Sequence, residues 1–358
     1  MKIINLYGYF GFKNVGDDLM LINFLNYLDS KSHKQLKIRI FCKENYYTFM
    51  KYNNIIVDVV KLNAVVNNIF MPYYIFTASK GLWIGGTCLY EPEDGELSGL
   101  VWLHKLVYKY KSLKKIFSFV NIGIGSIYNE KAKRLTLEIL DSAYQISFRE
   151  EMSLKKAQDW TNGRSFILGG DMFFLGSSAL CGFHRISSKN YLGFAGHVQY
   201  QSDNSVINFY ANTLNNLSGE FEKIVFISMH GSEDHKFHKK LAEKLQVDCS
   251  FIDSTDYVEL YNNMRQLKFL IGMRLHSVVL ADLLAIPNMG VAYGDKVSYY
   301  IEKSKQLVEQ RTKQVCENIM GEVMNDILNN YQYNKNFILN EDIAAGVGIK
   351  SLFSQRDT

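Results

Sequence analysis

The sequence predicts an α/β protein of two Rossmann-like domains, each a parallel sheet covered by helices on both faces. Three observations lead there. Short apolar runs alternate with longer stretches of helical period, the pattern of strands joined by crossover helices. The alternation pauses at Gly176-Ser177-Ser178 and Ser187-Ser188 and resumes after Cys181. A chain of 358 residues also exceeds one ordinary core and suits two domains of roughly 150 to 180 residues. The expected division is 1–180 and 181–358, with the last stretch packing back on the first domain.

In the first domain the apolar runs predict strands at 2–7, 36–41, 55–60, 82–84, 116–124 and 165–168, with an extended run at 144–148. A helix is expected at 18–28, with Leu21, Phe24, Leu25 and Leu28 on one face, and further helices at 130–142 and 150–160. In the second domain strands are expected at 191–195, 223–228, 269–272 and 289–292. Helices are expected near 203–217, 233–246, 256–265, 275–285 and 312–330. Open parallel sheets bind ligands beyond the carboxyl ends of their strands, so the loops after these strands are where chemistry is sought.

Composition narrows the class. Hydrophobic residues at 47% and charged residues at 21% are globular proportions, and 23 Tyr with 23 Phe supply large buried surfaces, which excludes overall disorder. The net charge of +4 comes from no basic tract, so a nucleic-acid partner is not expected. An anionic substrate or an acidic membrane surface is compatible with it. Five cysteines form no CxxC pair, and their odd number argues against a disulfide framework and for a reducing cytoplasm. The opening reads as a strand rather than a signal peptide, and no run of about 18 apolar residues is present.

Several loops are candidate sites. The first, from Gly8 to Asp18, carries Gly8, Gly11 and Gly16, which allow close backbone approach before a helix start that favours anions. It lacks GxGxxG and GxxxxGK[ST], so neither a dinucleotide nor a P-loop site is indicated. Asp17, directly at a helix start, reads first as an N-cap, while the loop as a whole is a candidate ligand site. Gly85-Gly86-Thr87 ends a strand and fits a ligand approach or a tight turn. Gly123-Ile124-Gly125-Ser126 ends another. Arg149 stands at a strand end, where its guanidinium could fork onto a carboxylate or phosphate, or pair at the surface with Glu150 or Glu151. His230, His235 and His238 suggest a metal at first sight. They lack the acidic context of HExxH, and Lys236, Lys239 and Lys240 crowd the stretch, so a solvated helix start is expected and no metal. The strongest candidate is Gly272-Met273-Arg274-Leu275-His276-Ser277. Here an apolar strand ends in two potential cations beside the apolar helix from Val278. Arg274 and a helix N-terminus form an anion pocket, and His276 can donate a proton near neutral pH. Ala292 to Lys296 is expected to form the opposite wall.

Taken together these segments resemble the polysaccharide pyruvyl transferase family. The matching stretches are GYFGFKNVGDD (8–18), WIGGT (83–87), NIGIGS (121–126), SFREEMS (147–153) and IGMRLHSVVLADLLAIPNMGVAYGDKV (271–297). They lie in order over most of the chain, and the Arg-Leu-His stretch with its apolar helix is the most specific. Departures are Lys13, where the family often has a small residue, and Gly169-Gly170-Asp171-Met172, where relatives commonly carry proline.

The resemblance implies a fold like the GT-B glycosyltransferases, with the active site in an interdomain cleft and no cofactor. It implies phosphoenolpyruvate as donor and a sugar hydroxyl pair as acceptor, a lipid-linked saccharide at the cytoplasmic face of a membrane being one candidate. The product would be a pyruvate ketal in surface polysaccharide. By resemblance Arg274 binds the donor, with Arg149 as a second anion contact. His276 acts as acid or phosphate partner, and Asp17 is a candidate base. Gly11, Asn14, Gly85, Gly86 and Ser126 line the substrate site. Competing expectations are a GT-B-type glycosyltransferase using a nucleotide sugar and a non-catalytic polysaccharide-assembly protein.

Overall fold

The computed structural model describes residues 1–32, 36–44, 51–92, 94–177, 189–197, 204–253, 257–291, 295–304, 324, 327–329 and 333–353. The chain divides into two compact units. Met1–Phe12, Asp17–Gly176 and Leu339–Thr358 form the first, and Lys13–Gly16 with Ser177–Ile338 the second.

The first sheet contains β1 (Ile3–Tyr7), β2 (Leu36–Cys42), β3 (Ile55–Lys61), β4 (Lys80–Ile84), β5 (Thr87–Leu89), β6 (Ile116–Ile124), β7 (Gln145–Phe148) and β8 (Ile167–Leu168). Its order is β3-β2-β1-β4-β6-β7-β8, with β5 paired to the upper part of β6, and its described pairings are parallel. The strand order reverses between β1 and β4, which opens a crevice at their carboxyl ends. Helices of this part are α1 (Val15–Lys31), α2 (Met71–Thr77), α3 (Ser98–Ser112), α4 (Glu130–Ser142) and α5 (Glu151–Trp160). α2 continues from a π-helical turn, Val66–Phe70.

The second sheet contains β9 (Tyr191–Ala195), β10 (Lys223–Ile227), β11 (Cys249–Ile252), β12 (Leu267–Gly272) and β13 (Asn288–Gly290), in the order β11-β10-β9-β12-β13. It is again parallel, with its reversal between β9 and β12. Its helices are α6 (Asn204–Leu217), α7 (Gly231–Ala242), α8 (Tyr257–Met264), α9 (Leu275–Leu283) and α10 (Asp295–Ser304). α11 (Lys335–Phe353) closes the described chain. The mixed α/β class with parallel sheets is the one predicted.

Burial explains the near-continuous apolar strands. All of β6 except Ile116 is buried, because helices cover both faces of a parallel sheet. α1 departs from the one-faced helix expected at 18–28. It begins at Val15, and Leu19, Met20, Leu21 and Ile22 are all buried, so its first turns are enclosed on every side. The strand expected at 289–292 is β13, and Ala292 lies outside the described residues. So does most of the helix expected at 312–330; positions 324 and 327–329 are helical. α2, α3, β5, β11, α10 and α11 are elements beyond those expected from the sequence.

Two polar residues inside the first unit tie its elements together. Asn121, at φ 52°, donates from Nδ2 to the Ala345 carbonyl at 2.9 Å and accepts from Ser147 Oγ at 2.9 Å. Arg39 donates from Nη1 to Asn5 Oδ1 at 3.2 Å and to Thr77 Oγ1 at 3.2 Å, which ties α2 to the sheet.

Candidate active site

In the second unit the polar residues gather at the carboxyl ends of β9, β10 and β12, around the strand-order reversal. β12 ends at Gly272, and Arg274 takes an extended backbone as the cap of α9 (φ −81°, ψ 128°). Its side chain reaches α7 instead of capping its own helix. Nε donates to Asp234 Oδ2 at 3.2 Å and Nη2 to Oδ1 at 2.5 Å. Asp234 is wholly buried, and its Oδ2 also accepts from the His230 N–H at 2.8 Å. The planar fork of arginine matches a carboxylate in this two-point geometry, which fixes the guanidinium plane. Met273 N–H donates to the Ala195 carbonyl at 2.9 Å, so the loop carrying Arg274 is pinned to the end of β9.

Two further histidines face this charge. His197 follows β9, and burial together with Arg274 and His230 pulls its pKa down to about 4, against an opposing pull from Asp234. His238 lies inside α7, where burial lowers it to about 3 despite Asp234. Its Nε2 accepts from the Gly196 N–H at 3.0 Å, which holds the turn after β9. A ring nitrogen that accepts carries no proton, so His238 is neutral with its hydrogen on Nδ1, aimed at Ser228 Oγ 3.4 Å away. The solvated helix start expected around His230 to Lys240 is therefore corrected. Asp234, Phe237, His238 and Leu241 form the buried side of α7, and the lysines take the outer one. Among the described residues no cluster of three or more His, Cys, Asp or Glu is arranged to hold a metal.

His276 sits half-buried in the first turn of α9. Its ring packs on Gly16 so closely that a Cβ there would lie 1.8 Å from Nδ1. Gly16 belongs to the short segment assigned to this unit, and Val15 N–H donates to the Met229 carbonyl at 3.0 Å. Asn14 Oδ1 accepts from the Gly16 N–H at 3.1 Å, so Asn14 and not Asp17 closes the helix start. Asp17 instead lies within the first turn.

The first unit holds a separate charged cluster at the ends of β4 and β7. Arg149 is buried, not at the surface. Its Nε donates to Glu150 Oε2 at 2.7 Å, Nη1 to Asp171 Oδ2 at 3.1 Å and Nη2 to Thr87 Oγ1 at 3.2 Å. Burial alone would lower its pKa, but Glu150, Asp171 and Asp17 outweigh that and raise it above the usual arginine value. Asp17 is buried, and its Oδ1 stands 3.5 Å from where a side chain at Gly86 would begin. Gly85 and Gly86 form a left-handed turn (φ 58° and 69°) that a side chain would strain. Tyr9 stands edge-on to Trp83, their rings 5.5 Å apart, and burial pushes its hydroxyl pKa up.

The expected residues thus separate. Arg274, His276 and the Asn14–Gly16 segment belong to one unit, and Arg149, Asp17 and Gly86 to the other. Gly11 (φ 77°) has the backbone of Glu44 against it, and its N–H donates to Asp18 Oδ1 at 3.1 Å. Ser126 is exposed, and its carbonyl accepts from Glu91 N–H at 2.9 Å. Tyr293 and Gly294, from the expected opposite wall, fall outside the described residues. Asp234, His197 and Asp171 were missed; His238 was weighed only as a metal ligand, and the Arg149–Glu150 pair, weighed as a surface contact, is largely buried.

A family model described as polysaccharide pyruvyl transferase matches residues 14–295. The chain belongs to the polysaccharide pyruvyl transferase family. That span contains Arg149, Asp234, Arg274 and His276, and it makes the protein one of a family of transferases concerned with polysaccharide pyruvylation. No curated protein matches the chain.

Solved structures share the fold at low identity. The UDP-GlcNAc 2-epimerase of Methanocaldococcus jannaschii is 12% identical with a TM-score of 0.65, over 99% of this chain and 100% of that one. The Neisseria meningitidis UDP-GlcNAc 2-epimerase bound to UDP-GlcNAc is 12% identical with a TM-score of 0.62, over 99% and 100%. The S. aureus MnaA–UDP co-structure is 8% identical with a TM-score of 0.58, over 99% and 96%. The pyruvyl transferase therefore has a GT-B-like fold built of parallel sheets.

Proposed function

We propose that this pyruvyl transferase uses phosphoenolpyruvate as donor and closes a pyruvate ketal on two hydroxyls of a sugar in surface polysaccharide biosynthesis. The observation that carries the reading is Arg274, held by the wholly buried Asp234 at the strand-order reversal of the second sheet. Phosphoenolpyruvate brings a carboxylate and a phosphate. An oriented guanidinium beside the N-terminus of α9 matches that charge.

The chemistry assigns work to the remaining groups. Protonation of the donor's methylene carbon makes C2 cationic, and one sugar hydroxyl adds there. The C2–O bond to phosphate then breaks, and the second hydroxyl closes the ring. One hydroxyl proton is balanced by the new methyl group, and the other leaves with phosphate. We assign His276 as the acid and Asp17 as the base, each worth on the order of 10²–10⁴-fold. Asp17 follows directly on Gly16, which packs against the His276 ring. Arg149, engaged by Glu150, Asp171 and Thr87, is assigned to holding those carboxylates in place for the sugar, and Gly86 keeps the space beside Asp17 open.

The test is incubation with phosphoenolpyruvate and saccharides from the host's own surface polysaccharide. Free phosphate should appear in step with glycans heavier by pyruvate less water. Release of nucleotide from a UDP-sugar, with no phosphate from phosphoenolpyruvate, would replace this reading with glycosyl transfer.

A further inference from the structure

Away from its own charged cluster, the first unit exposes an apolar surface. All its paired strands run parallel, β3 ends at Lys61 and β4 begins at Lys80, so the helical stretch between them runs back along the sheet. Its inner side is anchored: Met71 and Ile75 are buried, and the Tyr74 carbonyl accepts from Asn5 Nδ2 at 2.9 Å. Its outer side carries Val65, Ile69, Tyr73 and Phe76 at intervals of four, four and three residues, with Phe70 beside them. Ile69 is 66% exposed, Tyr73 61% and Phe76 70%. Monomeric proteins rarely present so many large apolar side chains together without a partner.

The sequence intervals that carry this stripe and α3 are basic. No Asp or Glu occurs between Asp58 and Glu91, nor between Glu96 and Glu130, and the second interval carries Lys105, Lys109, Lys111, Lys114 and Lys115. The end of α3 meets the stripe directly. Lys115 Nζ donates to the Ala78 carbonyl at 2.9 Å and lies 5.7 Å from the Phe76 ring centre. Leu113 and Ile116 on either side of it are exposed, as are Lys61, Lys111 and Lys114.

We infer that this face, from Val65 to Phe76 with the lysines at the end of α3, docks the protein on an anionic lipid bilayer. Aromatic and aliphatic side chains on a helix lying flat enter the boundary between headgroups and acyl chains. Lysines beside them gain from the negative surface. Among the described residues no helix is long and apolar enough to cross a membrane, so the attachment is peripheral. A second copy of the chain fits less well. Self-pairing of one patch would set the lysines of each copy against those of the other, and neither sequence interval supplies an acid to offset them.

Full-length protein sedimented with vesicles of phosphatidylcholine plus phosphatidylglycerol tests the inference, with phosphatidylcholine vesicles as control. Wild type should pellet with the anionic vesicles, stay in solution with the neutral ones and be released by salt. The double variants Ile69→Ser/Phe76→Ser and Lys111→Glu/Lys114→Glu should each partition about ten-fold less or weaker. Both should keep wild-type melting and wild-type turnover on a free saccharide acceptor. Absence of wild-type pelleting, or equal pelleting of the variants, overturns the inference. So does a wild-type dimer that ignores vesicles and dissociates in the Ile69→Ser/Phe76→Ser variant, which would make the face a self-association surface. Vesicle binding needs no substrate, so its failure and failure of the donor reading are separately visible.

Discussion

Arg274 and Asp234 form a two-point ion pair across 40 residues of sequence, with the carboxylate wholly buried and the guanidinium partly open. Arg274→Ala is therefore a poor probe of donor binding. It strands a buried carboxylate, at a cost of about 3–5 kcal/mol in stability. Asp234→Asn is the better test, because it keeps the shape and removes the charge that orients the arginine. The expected outcome is a folded protein whose kcat/KM for phosphoenolpyruvate falls roughly 10- to 100-fold, as for a misplaced binding group. Steady-state kinetics beside a melting curve checks it. Unchanged kcat/KM would mean that the orientation of Arg274 is irrelevant to turnover.

Gly16 offers an indirect probe of His276. The residue sits near the start of α1 at an ordinary helical position, where alanine is favourable for the backbone. The new methyl group would nonetheless overlap His276 Nδ1, at 1.8 Å. Gly16→Ala should therefore push the imidazole aside and lower kcat by about 10²-fold or more if His276 is the acid, with melting shifted far less. His276→Gln should give a similar loss, and the two together no further loss. An additive double variant would show that Gly16 acts through something other than the histidine.

Arg149 is surrounded by more negative than positive charge, since Glu150 and Asp171 contact it and Asp17 adds to its field. Removing it leaves two largely buried carboxylates facing each other. Arg149→Met should destabilise the protein by about 3–5 kcal/mol, read as an earlier urea midpoint. Arg149→Met/Asp171→Asn should recover part of that loss. A direct donor contact would show differently, as a raised KM for phosphoenolpyruvate at normal stability.

The fold was legible where burial leaves a one-dimensional trace. The spans 116–124, 130–142 and 191–195 coincide with β6, α4 and β9, because a mostly apolar run or a helical period is complete within each. α3 was equally readable: Leu100, Leu103, Leu106, Val107 and Tyr110 carry its buried side at helical spacing. Lysines and exposed aromatics between them disguised it. β5, with three residues, is too short for any period to register. The site was legible only in half. Arg274 stands out because it ends an apolar strand, whereas Asp234 sits in the polar run Gly231-Ser232-Glu233-Asp234-His235-Lys236. Its burial is decided by an arginine 40 residues away, which no local window contains.

His238 makes the last prediction, one of pH. Its ordinary value is 6.5 and its folded value about 3, so the fold requires the neutral ring. Below pH 6.5 the unfolded chain takes up a proton that the folded ring refuses. Stability from this group is therefore complete above pH 6.5 and drains away as pH falls toward about 3, by about 1.4 kcal/mol for each unit. His197, lowered to about 4, acts with the same sign, but its ring is only half-buried and water weakens the effect. Carboxylates also contribute to acid unfolding, so the informative quantity is a difference between proteins. A glutamine at 238 retains an acceptor for the Gly196 N–H and titrates nowhere in this range. Between pH 6.5 and 5, wild type should lose about 2 kcal/mol more than His238→Gln, measured from urea midpoints at each pH. Parallel losses in the two proteins would mean that His238 is not the group refusing the proton.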